Sequence, residues 1–101
     1  MTFIDLTTTE LSNKLANKDD IIVLDSRKPE CFAKGNIDGS INLSESNIYE
    51  ILNKIDFNTE IAVICYKGIS SQRIAQYLIN YGFNTVYNIT GGYENWKQNK
   101  R

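Results

Sequence analysis

Apolar residues in this chain follow two recurring patterns, continuous runs and helical stripes. The continuous runs are short and rich in β-branched residues, and they occupy residues 21–24, 61–64 and 85–87. Runs of this kind are typical of strands that are buried on both faces of a sheet. Residues 3–6 and 39–43 predict two further short strands, and we expect the first of these at an edge of the sheet.

Helical signals separate these runs in the first half of the chain. Residues 7–10 read TTTE, which fits a capping box and predicts a helix over residues 8–17. Pro29 and Gly35 bound a second, shorter helix, because proline is favoured at the first helical position and glycine just past the last. Ser46 is expected to cap a third helix, whose apolar residues recur at intervals of three and four. These apolar residues are Ile48, Ile51, Leu52 and Ile55.

Two more helices are predicted in the second half. Ser70 and Gly82 bound a helix with one apolar face, formed by Ile74, Ala75, Leu78 and Ile79. The pair Gly91-Gly92 introduces a last short helix that carries Tyr93 and Trp96. Strands therefore alternate with helices along the whole chain.

This alternation predicts an α/β fold, with a mostly parallel sheet and helices on both of its faces. The 101 residues contain no linker, repeat or low-complexity tract, so residues 1–101 are expected to form a single domain. Ligands of such sheets bind beyond the carboxyl ends of the strands. Residues 25–28 and 65–71 should therefore lie along one rim of the molecule.

Composition narrows the classes of function. Eleven basic and twelve acidic residues are interspersed and give a formal net charge of -1. The sequence therefore lacks the cluster of basic residues that is typical of a nucleic-acid-binding protein. We expect no association with membranes and a cytosolic location, since residues 1–14 do not resemble a targeting segment and no apolar run could span a bilayer. Cys31 and Cys65 cannot form a disulfide framework or, without histidine, a common zinc site, so no metal and no cofactor are expected.

Cys65 stands where a reactive thiol would be stabilised. It follows the apolar run 61–64 and precedes Lys67, Gly68 and a pair of serines, Ser70 and Ser71. A glycine-containing loop between a strand and a helix can turn its amide hydrogens inward, and the start of the helix adds partial positive charge. We expect these dipoles, with the charge of Lys67, to stabilise the thiolate form of Cys65.

The absence of histidine restricts the chemistry that this thiol can perform. A Cys–His pair, as used by cysteine proteases, is excluded by composition. Chemistry in which both the nucleophile and the product are anions fits better, because a ring of amides stabilises both without moving a proton. Attack on the outer sulfur of thiosulfate would leave a persulfide on Cys65 and release sulfite. An acceptor would then remove the sulfur, so ping-pong kinetics are expected.

Four segments, taken in order, resemble the rhodanese family, in particular its small single-domain thiosulfate sulfurtransferases. Asp25-Ser26-Arg27 resembles the family's Asp-Val-Arg, and residues 30–42, ECFAKGNIDGSIN, resemble its E-[FY]-x-x-G-H-I-x-G-A-x-N segment. Residues 65–68, CYKG, resemble the start of its active-site loop. Gly91-Gly92 with Trp96 resembles its closing G-G-x-x-x-W. The resemblance covers nearly the whole chain and implies a rhodanese-like fold.

The resemblance also implies roles for single residues and partners. Cys65 would carry the persulfide, and the transferred sulfur and the substrate anion would be bound by Tyr66, Lys67, Gly68, Ile69, Ser70 and Ser71. The implied partners are a small anionic sulfur donor such as thiosulfate and a thiol acceptor, either a small dithiol or a thioredoxin-like protein.

The chain departs from the family pattern at several positions. Asn36 replaces the usual histidine, Asp38 replaces a common proline, and Ser70 stands where many members have arginine, which leaves Lys67 as the charge partner of the substrate anion. Ser71 occupies the position of the arginine that ends the longer loop of the related phosphatases, which disfavours phosphatase activity.

Other residues have simpler structural interpretations. Cys31 is expected to be an ordinary packing residue. Asp25 and Arg27 are expected to stabilise the rim as an ion pair or a hydrogen-bonded set. Arg73 is expected to face solvent. Gly91-Gly92 and Trp96 are expected to close the fold.

Two alternatives to a thiosulfate sulfurtransferase stay open at this point. One is a sulfur-carrier module that is loaded by a partner protein and turns over little thiosulfate. The other is a redox or phosphate-handling domain.

Overall fold

The structure is a computed structural model that describes residues 1–99, in which five strands alternate with five helices. The strands are β1 Ile4–Leu6, β2 Ile21–Asp25, β3 Ile41–Asn42, β4 Glu60–Ile64 and β5 Val86–Ile89. The helices are α1 Thr8–Ala16, α2 Pro29–Lys34, α3 Ile48–Leu52, α4 Ser71–Tyr81 and α5 Gly92–Asn99. Each predicted element is present within these residues. None of the described helices combines the length and the apolar composition that crossing a bilayer requires.

The five strands form one sheet in the order β1-β5-β4-β2-β3, and every described pair is parallel. The prediction of an α/β fold with a parallel sheet is therefore confirmed, as is the position of β1 at an edge. The continuously apolar β4 lies in the centre of the sheet. Its carboxyl end is consequently flanked by the ends of β2 and β5.

Helices cover both faces of the sheet, as predicted, and each face has its own core. Alternate residues of β4 point to opposite faces, so Ile61 and Val63 join one core while Ala62 and Ile64 join the other. The first core packs against α3 and α4 through Leu52, Ala75 and Leu78. The second packs against α1 and α5 through Leu11, Leu15, Tyr93 and Trp96.

The ends of the helices follow the predicted signals with one exception. Thr7 and Glu10 form the capping box of α1, Pro29 begins α2, and Gly82 ends α4 with a φ of 133°. Ser46, however, does not cap α3, and this prediction is wrong. Its hydroxyl instead forms a hydrogen bond of 3.0 Å with the hydroxyl of Ser44. The helix begins at Ile48, one residue later than predicted.

Strand β5 is longer than the predicted run of residues 85–87. It extends to Ile89, because Asn88 pairs with Asp5 of β1 and Val63 of β4 on its two sides. Backbone pairing with two neighbours outweighs the low strand propensity of asparagine. The strand therefore carries a polar side chain into the interior.

The rim after β2 is braced by a buried ion pair, as the sequence predicted. Arg27 Nη2 lies 2.7 Å from Asp25 Oδ2, and the two side chains are 7% and 0% exposed. The same nitrogen donates to the carbonyl of Gly35 at 2.7 Å, and the guanidinium lies 3.9 Å from the centre of the Tyr93 ring. These contacts join β2, the turn after α2 and α5.

We expect Arg27→Met to lower the free energy of unfolding by about 3–5 kcal/mol, because it leaves the buried carboxylate of Asp25 without its cation. Urea denaturation measures this change. The matched control is Arg73→Met, since Arg73 is exposed on α4, and it should change stability by no more than about 0.5 kcal/mol. Equal effects of the two substitutions would contradict a bracing role for the ion pair.

Candidate active site

Cys65 lies at the carboxyl end of the central strand, immediately after Ile64. Residues 65–70, called the Cys65 loop below, connect β4 to the first residue of α4, Ser71. The loop after β2 adjoins it, because the amide of Ser26 donates to the carbonyl of Ile64 at 2.9 Å. The prediction that residues 25–28 and 65–71 share one rim is confirmed. Cys65 is only 4% exposed there.

Three groups surround the sulfur of Cys65 at hydrogen-bonding distance. The amides of Gly68 and Ser71 donate to Sγ at 3.1 and 3.3 Å. The hydroxyl oxygen of Ser71 lies 3.1 Å from Sγ. The amides come from the loop and from the first residue of α4, so the start of the helix also directs its partial positive charge at the sulfur.

These contacts favour the thiolate. Burial by itself raises the pKa of the Cys65 thiol, since it penalises the charged form. The hydroxyls of Ser70 and Ser71 and the amides of Ser71 and Gly68 outweigh burial and lower that pKa to about 7. A larger fraction of this thiol is therefore ionised at neutral pH than the few per cent of an ordinary cysteine.

Gly68 is required for the tight turn that presents these amides. Its φ is +83°, and a Cβ at this position would lie 2.8 Å from both the amide nitrogen of Gly91 and the carbonyl oxygen of Ile89. The Cys65 loop thus packs directly on the backbone that follows β5. No residue with a side chain fits this arrangement without displacing that backbone.

The start of α5 holds the same loop from the other side. The amides of Tyr93 and Glu94 donate to the carbonyls of Cys65 and Tyr66 at 2.8 and 2.9 Å. Gly92 makes this approach possible, because a Cβ there would lie 2.4 Å from the carbonyl oxygen of Cys65. The predicted closing role of Gly91-Gly92 is confirmed, and Trp96 packs in the core beneath α5.

Four of the residues predicted to bind substrate lie on the surface of the loop, and of these only Ser70 is among the groups that lower the pKa of Cys65. Tyr66, Lys67, Ile69 and Ser70 are exposed, whereas Gly68 and Ser71 are buried beside the sulfur. Lys67 is not among the groups that lower the pKa of Cys65, so the expected contribution of its charge to the thiolate is not seen. Hydroxyls and amides supply the stabilisation instead.

A groove of about 730 Å³ lies on the same rim, between the loops that follow β2 and β3 and the first turns of α4. Ser26, which bonds to the residue preceding Cys65, is part of its wall. The groove also carries the exposed cations Lys28 and Arg73 and the phenols Tyr49 and Tyr77. It is within the size range of sites for small molecules.

Two residues differ from the sequence-based interpretation. Cys31 is an exposed thiol, so the prediction that it is ordinary packing is wrong; the exposed helix α2 carries it on the surface. Asn88 was not among the predicted site residues, yet its Oδ1 accepts a hydrogen bond of 2.5 Å from the Ser71 hydroxyl. The one signal for it was a polar residue directly after an apolar run.

Two departures from the family pattern lie away from the thiol. Asn36 and Asp38 are exposed in the turn that follows α2. The side chain of Asn36 donates to the carbonyl of Phe32 at 2.9 Å, which ties this turn to the end of the helix.

The chain is similar to known proteins over most of its length. Residues 7–99 match the family model described as a rhodanese-like domain. Thiosulfate sulfurtransferase GlpE of Pseudoalteromonas translucida is 38% identical over 84 residues, which cover 83% of this chain and 80% of that protein. GlpE of Shewanella oneidensis is 40% identical over 76 residues, which cover 75% of each protein.

Solved structures share the fold over almost the full chain. A rhodanese-like domain protein from Staphylococcus aureus superposes with a TM-score of 0.82 at 29% identity, over 93% of this chain and 91% of that chain. The human single-domain sulfurtransferase TSTD1 superposes with a TM-score of 0.84 over 96% of this chain and 97% of its own. Its identity of 22% shows likeness of fold alone.

We expect the alkylation rate of Cys65 by iodoacetamide to rise with pH and to level off above a midpoint of about 7, because the thiolate is the reactive form and its pKa is lowered. The rate is measured in a Cys31→Ser background, so that the exposed thiol does not react. Ser71→Ala should move the midpoint upward, since it removes one donor. If the rate instead continued to rise with pH up to 9.0, the pKa of an unshifted thiol, the assigned hydrogen bonds would be contradicted.

Proposed function

This chain belongs to the rhodanese-like domain family, and on that premise we propose that it is a thiosulfate sulfurtransferase that works through a persulfide on Cys65. The match over residues 7–99 and the likeness to two proteins named thiosulfate sulfurtransferase support the reaction class. We also infer that residues 1–101 form a single domain of this family.

The observation that carries the proposal is the set of hydrogen bonds at Cys65. The sulfur is ringed by the amides of Gly68 and Ser71 and by the Ser71 hydroxyl, with no imidazole in the chain to move a proton. Such a ring stabilises an anion before and after sulfur is transferred. It suits a nucleophile that attacks as thiolate and is left as an anionic persulfide.

In the first half-reaction, the thiolate of Cys65 attacks the outer sulfur of thiosulfate. A new S–S bond forms to Sγ, and the bond between the outer sulfur and the sulfonate sulfur breaks. Sulfite leaves with the electron pair of the broken bond, and Cys65 becomes Cys–S–S⁻. Amide donors of the loop are proposed to hydrogen bond to the terminal sulfur and so to stabilise its negative charge.

In the second half-reaction, a thiolate or cyanide attacks the terminal sulfur and regenerates the thiolate of Cys65. Cyanide leaves as thiocyanate, and a thiol leaves as its own persulfide. Lys67 is exposed on the Cys65 loop and is the proposed charge partner of the incoming anions. The exposed residues Tyr66, Ile69 and Ser70 form the remainder of the proposed substrate-binding surface.

The groove is lined by none of residues 65–70, but Ser26 in its wall bonds to Ile64, and we propose that a small dithiol acceptor approaches the Cys65 loop along it. Its exposed cations Lys28 and Arg73 outnumber its exposed carboxylate, Glu45, and would favour an acceptor that carries negative charge. Two free cysteines, one of them exposed, suit a reducing compartment, which supports the proposal that the reaction takes place in the cytoplasm.

A second candidate is a sulfur carrier that a partner protein loads with persulfide sulfur. The specific observation in its favour is that Tyr66 and Ile69 beside the thiol are 45% and 70% exposed, as suits contact with another protein. A thioredoxin-like protein is the corresponding acceptor. Slow turnover of thiosulfate, together with rapid loading from a cysteine desulfurase, would favour this candidate over the first.

We expect the protein incubated with thiosulfate to become heavier by one sulfur atom and to lose this mass when cyanide is added. Intact mass spectrometry measures both changes. Cys31→Ser is the matched control and should load like the parent, whereas Cys65→Ser should not load. Loading of Cys65→Ser, or full sulfurtransferase activity in that variant, would end the proposal.

A further inference from the structure

A fully buried asparagine lies next to the thiol but has no part in the two half-reactions. Asn88 on β5 is 0% exposed. Alternation along the strand places its side chain on the same face as Val86, which is the face that α4 covers. Buried amides are normally hydrogen-bonded at both ends, so the partners of this side chain indicate what it does.

The partners of Asn88 fix the orientation of its amide. Nδ2 donates to the carbonyl of Gly68 and to Oδ1 of Asp5, both at 3.2 Å. These partners are a carbonyl and a carboxylate, which accept hydrogen bonds, so the nitrogen must face them. The amide oxygen is therefore directed at Ser71, where the hydroxyl lies 2.5 Å away.

The hydroxyl of Ser71 has one hydrogen and two neighbours that compete for it. Because Oδ1 of Asn88 has no hydrogen, this short contact requires the hydroxyl to donate to it. The oxygen of Ser71 can then accept the S–H hydrogen of Cys65 at 3.1 Å. Once Cys65 ionises, its sulfur has no hydrogen to give and becomes an acceptor of the same hydroxyl hydrogen.

The geometry of the Cys65 loop has supports other than Asn88. Gly68 is packed against the backbone of Ile89 and Gly91. Its carbonyl also accepts a hydrogen bond of 3.2 Å from Nε2 of Gln72. The Cys65 loop should therefore keep its conformation when the Asn88 amide is removed. The contact that this removal changes is the hydrogen bond from the hydroxyl of Ser71.

We propose that Asn88 is a positioning residue that sets the ionisation of Cys65, because its amide oxygen competes with the thiolate for the single hydroxyl hydrogen of Ser71. Without the amide oxygen of Asn88, the hydroxyl of Ser71 would donate its hydrogen bond to the sulfur alone. The thiolate would then be stabilised further. The nucleophilicity of a thiolate falls as its thiol becomes more acidic, so such restraint keeps Cys65 reactive near neutral pH. The inference rests on the proposed function, in which Cys65 is the nucleophile.

Other titratable groups surround the site without replacing this interaction. Those on the neighbouring elements are Asp5 on β1, Asp25 and Arg27 at the end of β2, Tyr66 and Lys67 on the Cys65 loop, Arg73 on α4, Tyr87 on β5, and Tyr93, Glu94 and Lys97 on α5. Among residues 1–99, the groups that hydrogen bond to Sγ are Gly68 and Ser71, the Ser70 hydroxyl also lowers the pKa of Cys65, and none of the titratable groups named above does either. Asp5 contacts Asn88 at its nitrogen, away from the shared hydrogen.

The test is a titration of the Cys65 thiolate by its ultraviolet absorbance in a Cys31→Ser background, with Cys65→Ser as the blank. We expect Asn88→Leu to lower the midpoint by about one pH unit, which is about tenfold in the ionisation constant. Ser71→Ala should raise the midpoint and should abolish the effect of Asn88→Leu in the double variant. Gln72→Leu is the matched control, since it removes a donor from the Gly68 carbonyl without touching Ser71, and it should leave the midpoint unchanged.

An unchanged or higher midpoint in Asn88→Leu would overturn the proposal, as would an equal shift in Gln72→Leu or in the Ser71→Ala background. Circular dichroism shows whether each variant is folded. If Asn88→Leu does not fold, Asn88→Val, which is smaller and favours strands, should show the same fall in midpoint. The titration needs no sulfur donor, so its failure leaves sulfur transfer untouched, and a failure to form the persulfide leaves the titration interpretable.

Discussion

The hydrogen bonds from the amides of Gly68 and Ser71 to Sγ of Cys65 are the interaction on which the site depends. An anion in a mostly buried position is costly unless fixed dipoles replace the water it has lost. Here the hydroxyls of Ser70 and Ser71 supply part of those dipoles, and the main-chain amides supply the rest. They keep their direction because the loop is confined between the backbone after β5 and the first turn of α5, where Gly68 and Gly92 allow contacts that side chains would prevent.

This arrangement explains how a chain without histidine can present a reactive thiol. The proton is not taken by a neighbouring base, and the thiolate is stabilised in advance. The exposed part of the Cys65 loop and the adjacent groove are the surfaces that we propose for the donor and the acceptor. The hydroxyl of Ser71 links the sulfur to the buried amide of Asn88. We therefore infer that a residue of the sheet, as well as the loop, influences the ionisation of Cys65.

Much of this could be predicted from the sequence, because the signals are local. The apolar runs predicted the central strands, and the turn around Gly68 with the serines after it predicted where donors meet a cysteine. Asn88 could not be found in this way, because its contact with Ser71 joins residues 17 apart in sequence and depends on the packing of α4 against β5. The orientations of the Lys67 and Cys31 side chains could not be predicted either, because they depend on the packing of the folded chain. A sequence pattern does not distinguish a side chain that faces the sulfur or the core from one that faces solvent.

The most direct test of the account is the pH dependence of the amide NMR signals of Gly68 and Ser71 in isotopically labelled protein. Both amide protons should shift with one common midpoint at about pH 7 as Cys65 ionises, and neither should shift in Cys65→Ser. If Cys65 ionised while these two amides stayed unchanged, main-chain donors could not be what stabilises the thiolate.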